Sequence, residues 1–183
     1  MDRRQRKTRE SIFKAFIDLL SKKDYNKITV SEIIDSADIG RSTFYSNFET
    51  KDYLLKELCE DLFCHIFDSE NKNHANHNHI FSCDAPDSVF LHLLMHLQKN
   101  DNNLLVLFKC YNNEVFLKYF KANLTKLVEK HPDMFKTNKI KNLPESFRVN
   151  HIVSTFAETV KWWIDNGTKE SPEKISEYFF SIV

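Results

Sequence analysis

Apolar residues recur every three or four positions along most of this chain, the spacing of helices with one buried face, and nowhere do they alternate with polar residues as a half-buried strand requires. A first helix is predicted from about Gln5 to Lys22, burying Ile12, Phe13, Phe16, Ile17, Leu19 and Leu20. Another is predicted from Lys51 to Glu70, with Leu54, Leu55, Leu58, Leu62, Ile66 and Phe67 on its inner side. Asn71 to Asp84, rich in Asn and His, reads as a loop. Val89–Lys99, Asn103–Tyr111, Glu114–Lys130, Glu145–Asn166 and Pro172–Ile182 follow as helices. His131-Pro132 is a stop, Gly167 a C-cap, and Ser171-Pro172 a cap followed by proline in the first turn. With only two glycines among 183 residues, the fold class is all-α.

The stretch from Ile28 to Lys51, ITVSEIIDSADIGRSTFYSNFETK, departs from this plain periodicity. Thr29, with Glu32 three residues on, has the pattern in which a cap hydroxyl and a carboxylate satisfy each other's backbone donors. Val30, Ile33, Ile34 and Ala37 then form the buried stripe of a short helix. Asp38 tolerates a left-handed turn, and Gly40 can cap a second short helix. In that second helix Phe44 and Phe48 lie four apart and face a core, leaving Arg41, Ser42, Thr43, Tyr45 and Asn47 for other surfaces. Two short helices joined by so brief a turn have the helix-turn-helix layout, with side chains suited to phosphates and base edges.

Thr8, Ile12, Ala15, Tyr25, Thr29, Ile33, Ala37, Thr43-Phe44-Tyr45, Phe48, Lys51 and Leu54 together resemble the N-terminal region of the TetR family of bacterial regulators. The resemblance implies that the second and third helices form the helix-turn-helix, with the third in the major groove of a double-stranded DNA operator. Carried over by position, Thr29, Ser31, Thr43, Tyr45 and Lys51 would hold phosphates, and Arg41, Ser42 and Asn47 would reach base edges. The chain departs from the family at Asp38-Ile39-Gly40, where Gly-Val-Ser is common, and at Asn47, where Tyr or His is common. Trp162 to Ser181 also loosely resembles the ending of regulators of dihydroxyacetone kinase operons, an apolar helix, a Gly turn and Ser-Pro-Glu opening the last helix. That likeness leaves open whether the C-terminal part takes a small-molecule effector or a protein co-regulator.

The charge balance matters only locally. Lys plus Arg and Asp plus Glu are 26 each, so the net charge advertises no partner. The first nine residues, however, place Arg3, Arg4, Arg6, Lys7 and Arg9 against Asp2, which reads as a basic arm attracted to phosphate. No apolar run approaches the roughly 20 residues of a membrane span, and the charged opening lacks a signal-peptide core, so a cytoplasmic protein with no membrane partner is expected. Cys59, Cys64, Cys83 and Cys110 show no CxxC spacing and read as reduced thiols.

The division expected is a helix-turn-helix domain at 1–50 and a helical effector-binding and dimerisation domain at 51–183. Ile152, Phe156, Val160, Trp163, Ile164, Ile175, Tyr178, Phe179 and Ile182 offer more apolar surface than a terminal hairpin needs, and the family resemblance implies a homodimer through the last two helices. A two-fold dimer spaces its reading helices by one DNA turn, which predicts a palindromic operator. Phe63, Phe67, Phe90, Phe108, Tyr111, Phe116, Phe120 and Phe156, with His92 and His96, are candidate walls of an effector pocket, although such aromatic stripes are more often core. His92 and His96 also have the four-residue spacing of paired metal ligands, near His74, His77, His79 and Cys83. That spacing is a weak signal, and no metal or other cofactor is expected. Phosphate loops, GxSxG elbows and HExxH are missing, so no enzyme is expected. The function expected is a repressor released from its operator by a small-molecule effector. The alternative is a DNA-tethered co-regulator whose C-terminal domain binds a protein.

Overall fold

The computed structural model describes residues 3–70, 88–99, 104–109, 114–135 and 143–183, and among them all regular structure is helical. The helices are α1 Arg3–Leu20, α2 Val30–Ala37, α3 Arg41–Asn47, α4 Lys51–Glu70, α5 Val89–Gln98, α6 Leu104–Lys109, α7 Glu114–Lys130, α8 Glu145–Asp165 and α9 Pro172–Ile182. These bounds follow the predicted ones to within a few residues. The Asn71–Asp84 loop and Tyr111 lie outside the described residues, as do the side chain of Phe67 and the cysteines at 83 and 110.

Helix ends form where the sequence supplies caps. Ser171 accepts from the backbone N–H of Lys174 at 3.4 Å, and Pro172 fills the first turn of α9, where a missing N–H is harmless. At the end of α8, Gly167 takes φ 74° and Thr168 φ 50°, and their amides return to Ile164 (3.0 Å) and Trp163 (2.9 Å). The fully buried indole of Trp163 donates across this turn to the Glu170 carbonyl at 2.9 Å, so its one polar group is satisfied.

The buried apolar residues form one continuous core, which α4 carries from α1–α3 into the C-terminal helices. Phe13, Phe16, Tyr25, Ile33, Phe44 and Phe48 form the core of α1–α3, with Leu54, Leu55 and Leu58 of α4 also buried. Farther along α4, Leu62, Phe63 and Ile66 are buried where the helix packs on α5 and α7. Phe90 of α5 meets Phe156 of α8 and Phe179 of α9, with ring centroids at 5.3 and 5.7 Å. The expected boundary at 50/51 therefore falls at the cap of a continuous helix, where the Tyr53 amide donates to the Thr50 hydroxyl at 3.0 Å. No helix of the described residues is long and apolar enough to cross a membrane.

Candidate nucleic-acid interface

Residues 28–51 fold as their caps direct. Thr29 is extended (φ −101°, ψ 155°), its hydroxyl accepts from the Glu32 amide at 3.3 Å, and the Glu32 carboxylate accepts from the Thr29 amide at 2.9 Å. Both donors that open α2 are thus satisfied. Lys23 ion-pairs with Glu32, and that hydrogen bond, with those from Thr29, holds the carboxyl down at about 2. Asp38 ends α2 in the left-handed region at φ 52°. Gly40 caps α3 at φ −75°, ψ 153°, with no side-chain hydrogen bond to the helix. The departure from Gly-Val-Ser thus keeps the left-handed turn, through Asp38, and loses the cap hydroxyl.

On α3 the fully buried Phe44 anchors the helix, and Arg41, Ser42 and Tyr45 are exposed, Tyr45 by 46%. Thr43 is half-buried. Ser46 shares the open face with Ser42, although its hydroxyl donates back to the Thr43 carbonyl at 2.9 Å. The sequence reading missed Ser46, whose place four residues after Ser42 was the available signal. Thr29 and Ser31 are also exposed, at the start of α2.

Three expectations change. Asn47 does not present a free amide edge. Its Nδ2 donates to the Thr43 carbonyl at 2.8 Å, its Oδ1 is covered, and its own carbonyl accepts from Arg9 Nη1 at 3.3 Å. Asn47 secures the end of α3 instead of offering two groups to an adenine. Lys51 Nζ donates to the carbonyls of Tyr25 and Ile28, both at 2.8 Å, and lies 4.2 Å from the centre of the Tyr25 ring. Burial holds its pKa below the usual lysine value. Lys51 therefore braces α4 against the entry to α2, which its spacing in the sequence does not reveal.

The third change concerns the basic arm, which is helical from Arg3 onward because α1 begins there. Arg3, Arg4 and Lys7 are exposed on it, while Arg6 is half-buried with its Nε 3.6 Å from Glu10. Arg9 points inward, paired with Glu57 of α4 and lying 4.4 Å from the Phe48 ring centre. Arg9 is a structural clamp among α1, α3 and α4.

Most of the described residues expected to line a pocket or a dimer face are buried within this subunit. Phe63, Phe90, Phe108, Phe116, Phe120 and Phe156 are each 5% exposed or less and pack on one another, Phe108 edge-on to Phe116 at 4.8 Å and to Phe120 at 5.0 Å. They are core. Ile152, Phe156, Val160, Trp163, Ile164, Ile175 and Phe179 are likewise buried within this subunit, at 3% or less, because that stripe of α8 and α9 faces α5 and α7. The outward face lies beside it. Thr155, Thr159, Trp162, Tyr178 and Ile182 line an open groove of about 910 Å³, with Trp162, Tyr178 and Ile182 exposed by 50, 38 and 68%.

This arrangement is a helix-turn-helix on a helical body, and comparison with known proteins assigns it. Residues 12–58 match the model of the bacterial regulatory proteins of the tetR family, and residues 84–183 match a transcriptional regulator C-terminal region. The TetR transcriptional regulator of Streptococcus agalactiae is 35% identical over 100% of this chain and 96% of its own, with a TM-score of 0.72. The chain belongs to the TetR family of DNA-binding transcriptional regulators, which are not enzymes. The dihydroxyacetone kinase operon activator DhaS has the same fold, with a TM-score of 0.63 and 24% identity over 96% of this chain and 93% of that one. Among curated sequences, YxbF of Bacillus subtilis is 37% identical over 40% of this chain, and the dhaKLM operon activator DhaS of Lactococcus lactis is 33% identical over 40%. Those alignments span 20% and 39% of the two relatives' lengths.

Proposed function

We propose that this chain is a homodimeric regulator that binds a palindromic operator, with residues 1–50 as the reading head and 51–183 controlling it. Base edges are read by Arg41 and Ser42, with Ser46 beside them, and phosphates are held by Thr29, Ser31, Thr43, Tyr45 and the exposed Arg3, Arg4 and Lys7. The single observation that carries this reading is the open polar face of α3, where Arg41, Ser42 and Tyr45 are exposed over a fully buried Phe44. Arg can pair bidentately with guanine, and the remaining side chains suit the backbone.

The dimer forms through the groove of α8 and α9, centred on Trp162, Tyr178 and Ile182. Two aromatic residues and an aliphatic one this exposed on adjacent helices are what a second copy would cover. Dimerisation spaces the two reading helices by about 34 to 36 Å, one DNA turn. The mode proposed is repression by occupying the operator, with release when a ligand of the C-terminal domain favours a state in which α4 tilts and the heads lose their spacing. The site of expression is the cytoplasm.

A second reading has support of its own. The relative DhaS is named as an activator, which favours activation over repression. Phe63, Phe90, Phe108, Phe116, Phe120 and Phe156, expected to line an effector pocket, are packed as core, which favours a co-regulator whose C-terminal domain responds to a protein partner. Trp162→Glu tests the shared premise. Sedimentation of the purified chain should show a dimer that becomes a monomer in the variant, with operator affinity falling in parallel. A variant that remains dimeric would place the interface elsewhere.

A further inference from the structure

His92 and His96 stand one turn apart on α5, and both are buried, at 0 and 1% exposure. Their Nε2 atoms are 3.2 Å apart. His65 of α4 completes the group, with its ring centre 5.1 Å from that of His92 and 4.8 Å from that of His96. One nitrogen from each of the three histidines lies within 4.8 Å of the other two. His65 is half-buried.

Two nitrogens bound to one tetrahedral ion at about 2.0 to 2.1 Å are separated by roughly 3.3 Å, close to the His92–His96 spacing, and His65 needs only a short approach to complete the set. Imidazole donors suit zinc and the neighbouring divalent ions and not calcium or magnesium, which take oxygen.

We propose that His65, His92 and His96 form a binding site for a divalent transition-metal ion of the zinc class, joining α4 to α5 with a fourth position left for water or an anion. The site lies on the helix that runs into the DNA-binding region, so occupation restrains α4. This consequence for DNA rests on the operator-binding function proposed above, whereas metal uptake does not.

The test uses the untagged full-length chain, stripped with chelator and titrated with Co²⁺ in the absence of DNA. One equivalent should bind and develop the intense visible bands of a four-coordinate ion, and Zn²⁺ should bleach them. His65→Gln and His96→Gln should each weaken binding at least about tenfold. His151→Gln, on the exposed side of α8, should leave it unchanged. Circular dichroism of the half-buried His65 variant keeps loss of ligation distinct from loss of fold. Absence of the bands, or binding by the His65 and His96 variants as tight as that of the native chain, would overturn the site and leave a hydrogen-bonded histidine pair. In a separate arm, operator affinity with and without Zn²⁺ should differ several-fold. Equal affinities would overturn the coupling to DNA.

Discussion

The ammonium of Lys51 lies 2.8 Å from the main-chain carbonyl of Ile28, tying the first residue of α4 to the residue before the α2 cap. A second bond of the same length reaches the Tyr25 carbonyl. Helix α4, which runs on into the C-terminal helices, is thereby fastened to the helix-turn-helix at a point distant in sequence and adjacent in space.

Lys51→Ala should therefore act on stability first. Losing charge-assisted bonds to two carbonyls in a half-buried setting should cost about 1 to 3 kcal/mol in urea denaturation, with DNA affinity falling alike for all sequences. Unchanged stability with lost affinity would instead return Lys51 to the role of a phosphate ligand.

Arg41→Ala should relax preference at particular bases by about 1 to 3 kcal/mol, whereas Tyr45→Phe should weaken all sequences alike. Asn47→Ala belongs with the second group, because its amide is turned onto the Thr43 carbonyl. Binding to a panel of single-base operator variants separates these cases. A uniform loss for Arg41→Ala would contradict base reading by that residue.

The α2–α3 turn gives a prediction of opposite sign. Gly40 has φ −75°, and a Cβ there would come no closer than 3.7 Å to Thr43 Oγ1 and 3.9 Å to Ser42 Oγ, ordinary contacts. Gly40→Ser should raise stability by about 0.5 to 1 kcal/mol, by adding a cap hydroxyl and restricting the unfolded chain. Asp38→Val should lower it by about 1 to 2 kcal/mol, since a β-branched residue is strained at φ 52°. Thermal melts of the two variants check both directions.

Glu32 makes stability depend on acid pH. Its carboxyl is lowered from 4.5 to about 2 by Lys23 and Thr29, so the ionised form is favoured by folding. Its contribution is present above about 4.5 and is lost as pH falls towards 2. The stability gap between the native chain and Glu32→Gln should be full at pH 6 and should close across that window. A gap that persisted unchanged at the acid end would disprove the pairing.

The sequence made local features legible and left mutual ones hidden. Thr29 with Glu32, Ser171 with Pro172, and the apolar stripe of α8 announce themselves because caps and periodicity act within a few residues. The turn at Asp38 was readable for the same reason. Arg9 against Glu57, Lys51 against Ile28 and His65 beside His92 join residues distant in the chain, so periodicity could not pair them. Which stripe of α8 faces outward was hidden for a related reason. The most apolar stripe of α8 serves the subunit's own core, and the less apolar Thr155, Thr159 and Trp162 stripe is the one left facing outward.

The most direct measurement is selection of bound fragments from a genomic DNA pool by the purified chain, sequenced at two salt concentrations. Enrichment of a palindrome whose half-sites are one helical turn apart, retained at the higher salt, is the result predicted for a dimer reading bases through α3. Binding that is unselective and vanishes with salt would reduce the interaction to phosphate attraction, and sequence-specific control by this chain alone would be contradicted.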